Sequence, residues 1–143
     1  MLKESVTNSE AETSALAATL AAALPDRKII FLTGDLGAGK SVFARALIRA
    51  LTGDPDLVVP SPTFNLLQTY DIKGTTIWHY DLYRLKDPDE MEELSWDDAL
   101  SGGIVLIEWP DKLEHLKPQG MTIAITPLAG SDTSRHIRIT DET

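Results

Sequence analysis

Eight consecutive residues, Gly34-Asp35-Leu36-Gly37-Ala38-Gly39-Lys40-Ser41, have the types and spacing of a phosphate-binding loop, G-x-x-x-x-G-K-S. The chemistry they suit is the grip of a nucleoside triphosphate. Glycines at 34, 37 and 39 permit positive φ and let phosphate oxygens approach main-chain N–H groups at the positive end of the following helix. Lys40 supplies a point charge for the β- and γ-phosphates, and the Ser41 hydroxyl is placed to ligate Mg²⁺. Two carboxylates extend the pattern. Glu108 ends the apolar run Ile104-Val105-Leu106-Ile107, where a strand of an open α/β sheet meets its ligand crevice. Asp81 ends Thr76-Ile77-Trp78-His79-Tyr80, and alternation along a strand puts Ile77, His79 and Asp81 on one face. Either carboxylate could hold Mg²⁺, directly or through water, while the other orients water or acts as base.

Other polar groups admit two readings each. Ser61-Pro62-Thr63-Phe64 is a turn leading into a strand; it resembles a switch segment whose Thr63 hydroxyl reaches metal or γ-phosphate, and equally a plain proline turn. His79 is a proton shuttle or, as the preferred reading, a half-buried histidine bonding a backbone carbonyl. Arg84 is an arginine finger in cis or the partner of a nearby carboxylate. Trp109 packs in the core by default, or stacks on a base or partner.

These groups need elements to position them. Lys28-Ile29-Ile30-Phe31-Leu32-Thr33 reads as a buried parallel strand ahead of the loop. After it, Val42, Phe43, Ala46, Leu47, Ala50 and Leu51 stripe one face of a helix that Gly53 closes. Ser9 and Glu12 form a capping box for an earlier helix ending before Pro25. Phe64 to Tyr70 and Thr75 to Tyr80 read as a hairpin joined through Ile72-Lys73-Gly74. Asp87, Pro88 and Glu90 start an acidic helix expected to run to about Leu100. Met121 to Thr126 and His136 to Thr140 are the last strands, the latter an edge because Arg135 and Arg138 interrupt it, with a loose tail beyond Thr140. Strands outnumber helices around the loop. The expected fold is a three-layer α/β domain of the P-loop NTPase kind, spanning 1–143, with a mixed, partly parallel sheet.

Composition narrows the partners. A chain of 143 residues with 43% hydrophobic content can build one real core. With 22 acidic against 13 basic residues, the net charge of −9 disfavours a direct grip on RNA or DNA. The acidity gathers between Lys86 and Lys112, as a solvated helix face or a docking surface for a basic partner. No run approaches the roughly 18 apolar residues of a membrane span. The amino terminus, Met1-Leu2-Lys3-Glu4, lacks the basic start and apolar centre of a signal peptide, so a cytoplasmic location is expected. The absence of cysteine removes thiolate metal sites and a cysteine nucleophile.

Taken together, Gly-Asp-Leu-Gly-Ala-Gly-Lys-Ser from Gly34, Ser-Pro-Thr-Phe from Ser61, His-Tyr-Asp-Leu-Tyr-Arg-Leu from His79 and Ile-Glu-Trp-Pro from Ile107 resemble the TsaE (YjeE) family over nearly the whole chain. The resemblance implies a small bacterial ATPase that binds and slowly hydrolyses ATP with Mg²⁺. It also implies action with the proteins TsaB and TsaD in making threonylcarbamoyladenosine in tRNA, with tRNA reached only through that complex. By the same resemblance Asp35, Leu36, Gly37, Ala38, Gly39, Lys40, Ser41 and Val42 hold the nucleotide, with Thr63 as switch and Trp109 beside the centre. Lys40, Asp81 and Glu108 form the catalytic set, Asp81 in a Walker-B-like role, and Ser41 with Glu108 holds Mg²⁺.

Two departures stand out: Ser41 where many relatives carry Thr, and Glu93-Leu94-Ser95-Trp96 in place of the usual Glu-Leu-Gly stretch. A small-molecule kinase would share the loop but normally brings several lid arginines, absent between Lys86 and Lys112. A nucleotide-dependent switch with negligible hydrolysis is the other alternative. The guanine-reading N-K-x-D pattern is missing, which favours ATP over GTP.

Overall fold

Lys28–Thr33 forms the expected strand, and everything else is arranged around it. The structure is a computed structural model describing residues 2–72 and 74–142; Lys73 of the expected hairpin turn and Thr143 of the expected tail lie outside the described residues. Seven strands make one sheet: β1 (Leu2–Thr7), β2 (Lys28–Thr33), β3 (Leu67–Ile72), β4 (Thr75–Asp81), β5 (Ile104–Glu108), β6 (Met121–Pro127) and β7 (Arg135–Asp141). Their order is β1-β7-β6-β2-β5-β4-β3. The central pairs β6–β2, β2–β5 and β5–β4 are parallel, and antiparallel strands flank them on both sides. The sheet is mixed and partly parallel, as expected.

Alternation along β2 divides the core. Ile30 and Leu32 point into a cluster with Phe43, Ala44, Leu47 and Ile48 of α2 (Lys40–Thr52) and Ala17 of α1 (Glu10–Ala23). Phe31 points the other way, into a cluster with Tyr80, Met91, Trp96 and Leu113. That side is covered by the 3₁₀ segment Pro88–Leu94, the short α3 (Trp96–Leu100) and 3₁₀ turns between Pro110 and Leu116. Three layers result.

The helix starts follow capping chemistry, with one shift. Ser9 Oγ accepts from the Glu12 N–H at 3.1 Å, while the Glu12 carboxylate reaches back to the Asn8 N–H at 3.0 Å. Gly53, at φ 72°, closes α2 as expected.

The acidic helix expected over 87–100 does not form as one piece. A straight α-helix turns about 140° between positions 91 and 96, too far to bury both on one side. Met91 and Trp96 are both buried, so the chain breaks between them. The Tyr80 hydroxyl donates to the Leu94 carbonyl at 2.7 Å, taking the acceptor a continuing helix would use, and Ser95 turns at φ 57°, ψ 35°. Ser95 thus holds the left-handed conformation that glycine accepts without strain, at the position where the resemblance expects glycine. Ser95→Gly is expected to stabilise the protein by about 0.5–1 kcal/mol, the strain relieved exceeding glycine's extra unfolded-state entropy. Equilibrium urea unfolding reads this directly, and a lower midpoint at unchanged slope would contradict it.

Three boundaries differ from expectation. β3 begins at Leu67, not Phe64; Leu66 sits at φ 67°, and Phe64 is 80% exposed. β7 is not an edge, because β1 pairs outside it from Leu2↔Thr140 to Thr7↔Arg135. Arg138 is tolerated there since it points to the open face, with its Nε 3.8 Å from Glu4. Asp141 and Glu142, expected in a loose tail, are held: Asp141 belongs to β7 and pairs with Lys28 at 2.8 Å, and the Glu142 N–H donates to the Gly120 carbonyl at 3.3 Å.

Candidate functional site

β2 delivers the chain to Gly34, and α2 begins at Lys40, so the loop lies between the strand end and the helix amino terminus. Gly34, Gly37 and Gly39 all take positive φ, and the Ala38 N–H bonds the Asp35 carbonyl at 3.0 Å to close the turn. Gly34 also has no room for a side chain: a Cβ there would lie 2.5 Å from the Ile125 carbonyl oxygen of β6.

Lys40 is 6% exposed. Its ammonium donates to the Gly34 carbonyl at 2.6 Å and lies 3.5 Å from the centroid of the Trp109 ring. Among the described residues it forms no ion pair. Burial pulls its pKa below the ordinary lysine value, against the opposing pull of Glu108, Asp81, Asp35 and Asp111. A poorly hydrated cation at a helix amino terminus is a place for an anion.

Asp81 and Glu108 are register partners across the parallel pair β4–β5, so they stand side by side on the α2 face of the sheet. Each is tied differently. Asp81 Oδ1 accepts from the Tyr83 N–H at 3.1 Å, and its Oδ2 lies 3.3 Å from the Thr63 hydroxyl and 3.5 Å from that of Ser61. Thr63 and Ser61 are themselves 2.9 Å apart, so the Ser-Pro-Thr turn is laced to β4. Glu108 Oε2 lies 2.8 Å from His79 Nε2, with both side chains buried. His79 is therefore fully buried rather than half-buried, and its partner is a carboxylate rather than a backbone carbonyl.

A cavity of about 420 Å³ gathers these groups. Leu36, Gly37, Gly39, Lys40, Ser41 and Val42 line one side. Thr63, Asp81, Glu108 and Trp109 stand opposite. Asp35 and Ala38 shape the loop without lining the cavity. Trp109 is half-buried, holds a left-handed φ of 61°, and its ring meets that of Tyr83 at 5.0 Å. A larger groove of about 510 Å³ between α1 and α2 adjoins it at Glu10 and Val42, but neither the lysine nor the paired carboxylates reach it.

Arg84 does not line this cavity and forms no ion pair among the described residues; its guanidinium lies 4.6 Å from the Phe64 ring centroid. The arginine that does reach the loop is Arg135, whose Nε donates to the Ala38 carbonyl at 2.6 Å. It was legible only as an interruption in a strand. Position 135 shares the face of Ile137 and Ile139, which is the face of α1 and α2, and no local pattern shows that β7 starts beside the loop. Glu10 and Tyr83, also on the cavity wall, were missed as well. Tyr83 lies within the motif around Asp81; Glu10 carries no signal beyond its place in the first turn of α1.

The fit to Mg²⁺ and a nucleotide follows from the donor set. One hydroxyl and two carboxylates are hard oxygen donors of the kind Mg²⁺ takes. Among the described residues no three His, Cys, Asp or Glu side chains gather to cage an ion. Such a site leaves part of the coordination shell to phosphate oxygens and water, the usual Mg²⁺ arrangement.

Comparison with known proteins agrees with this geometry. The family model described as threonylcarbamoyl adenosine biosynthesis protein TsaE matches residues 7–137. The chain is 51% identical over 109 residues to the tRNA threonylcarbamoyladenosine biosynthesis protein TsaE of Rickettsia conorii, covering 76% of this chain and 62% of that one. It is 44% identical over 139 residues to the protein of the same name from Rickettsia bellii, covering 97% of this chain and 95% of that one. The crystal structure of Bacillus subtilis YdiB superposes with a TM-score of 0.78 at 28% identity, covering 100% of this chain and 87% of that one. Matched by the family model across residues 7–137 and 44% identical to a relative over 97% of its length, the chain belongs to the TsaE family.

Proposed function

We propose that this chain binds ATP with Mg²⁺, hydrolyses it slowly, and acts on the TsaB–TsaD complex in making threonylcarbamoyladenosine in tRNA. The observation that carries the nucleotide chemistry is the buried Lys40 ammonium, without an ion-pair partner among the described residues, facing two adjacent carboxylates across one cavity. Family membership and the names of its relatives support the place in tRNA modification. The net charge of −9 accords with a factor that meets tRNA only through partners. Action in the cytoplasm is part of the proposal; among the described residues no helix is long and apolar enough to cross a membrane.

The roles divide by position. Lys40 and the loop N–H groups bind the β- and γ-phosphates, and Ser41 with Glu108 would hold Mg²⁺. The ion would supply neutralisation of charge developing on the transferred phosphoryl oxygens. Asp81, anchored by Tyr83 and the Ser61–Thr63 turn, orients the attacking water and accepts its proton. Trp109 lies over Lys40 and shields it from solvent.

Steady-state ATP hydrolysis by the pure protein, alone and with TsaB and TsaD from the same source, tests this. Hydrolysis is expected to rise with the partners, and Glu108→Gln to lower kcat by about 10- to 100-fold through loss of a metal-binding charge. An unchanged rate in that variant would remove Glu108 from the catalytic set. Phosphate transferred to a metabolite, with no partner effect, would restore the kinase alternative.

A further inference from the structure

We propose that His79 is the positioning residue for Glu108, fixing which carboxylate oxygen faces the cavity; this rests on the Mg²⁺–ATP reading of the site. Asp81 and Glu108 are opposite one another on β4 and β5, and His79 lies two residues before Asp81 on the same face, beside Leu106. Two neighbouring carboxylates repel, and each needs an anchor to stay in place. Asp81 has three, from Tyr83, Thr63 and Ser61. The Glu108 carboxylate has one hydrogen bond among the described residues, the 2.8 Å contact of its Oε2 with His79 Nε2.

The tautomer follows from burial. His79 Nδ1 is buried and has no hydrogen-bond partner, so a proton there would be stranded. The proton therefore belongs on Nε2, which donates it to Oε2. Glutamate has three rotatable side-chain bonds, and pinning Oε2 leaves Oε1 as the oxygen free to face Ser41 and Lys40 across the cavity. An orphaned ring nitrogen offsets the gain from that one bond, so folding alone has little use for imidazole here. A carboxylate that must meet a cation in one orientation does have such a use.

The test compares His79→Gln, whose terminal amide can donate near the Nε2 position, with His79→Leu, of similar bulk and no donor, and His79→Asn, whose amide is too short. Mg²⁺ affinity in the presence of ATP is measured by calorimetry, alongside kcat and KM for ATP with TsaB and TsaD. His79→Leu and His79→Asn are expected to lose about 10-fold or more in both Mg²⁺ affinity and kcat, with KM for ATP within about threefold of wild type. His79→Gln should recover most of both. Equal losses in the Gln and Asn variants, or wild-type Mg²⁺ affinity in the Leu or Asn variant, would overturn the positioning role. If the Leu variant fails to fold, the Gln–Asn contrast alone decides. A wild-type protein that binds neither Mg²⁺ nor ATP would overturn the underlying assignment of the site as well, a result distinct from intact wild-type binding with indifferent variants.

Discussion

Lys40→Met is expected to abolish ATP hydrolysis, by at least about a thousandfold in kcat/KM, while leaving the nucleotide-free protein no less stable than wild type. The two halves of this outcome share a cause. The ammonium is 6% exposed, contacts the Gly34 carbonyl and the Trp109 ring, and has no ion pair among the described residues. Burial depresses its pKa, a sign that desolvating the charge costs free energy. Phosphate oxygens would offset that cost in the complex, where the charge does its chemistry. Methionine keeps the length and packs its thioether on the indole, so the empty protein loses a strained charge and little packing. Thermal unfolding should show an equal or higher Tm for the variant without nucleotide. ATP at about one hundred times its Kd should stabilise wild type by about 2.7 kcal/mol and the variant by nearly nothing. Hydrolysis within tenfold of wild type would remove Lys40 from the mechanism.

Gly34→Ala should be the most damaging single-methyl change in the loop, costing about 3–5 kcal/mol and more than about 10 °C in Tm. Two penalties coincide there. Its φ of 147° is closed to residues with a Cβ, and the added carbon would lie 2.5 Å from the Ile125 carbonyl oxygen and 3.1 Å from the Ala38 Cβ. Ile125 sits within β6, paired with Ile137 of β7, so its carbonyl cannot step aside without disturbing the sheet. Gly37 is the control. Its φ is 80°, but a Cβ there meets nothing within 4 Å, so alanine should cost only about 1–2 kcal/mol of backbone strain. Chemical denaturation of the two variants side by side decides the matter: equal losses would mean that conformation, rather than contact with β6, makes Gly34 necessary.

These effects show where local sequence stops being informative. β2 and β5 are short apolar runs whose side chains are buried on both faces, and such strands announce themselves. The glycine-rich turn from Gly34 to Ser41 was legible because its residues serve geometry that is local to one strand–turn–helix unit. β1 was not. Leu2 to Thr7 is mostly exposed and mostly polar, and it is a strand only because β7, far along the chain, pairs with it. The same remoteness hid the inner place of β7 and the reach of Arg135 to the loop. The acidic helix had good caps at Asp87 and Pro88, but the burial of Met91 and Trp96 on one core overrode its continuity.

Spacing along a single segment was enough to place the turn from Gly34 to Ser41 between strand and helix, the carboxylates at the strand ends, and Ile77, His79 and Asp81 on one face. Tertiary structure alone decided that Asp81 and Glu108 are neighbours in register, that His79 bonds Glu108 rather than a carbonyl, and that Trp109 lies on Lys40. The physical reason is that pairing register and layer packing join residues dozens of positions apart, and no periodicity within either segment encodes that alignment.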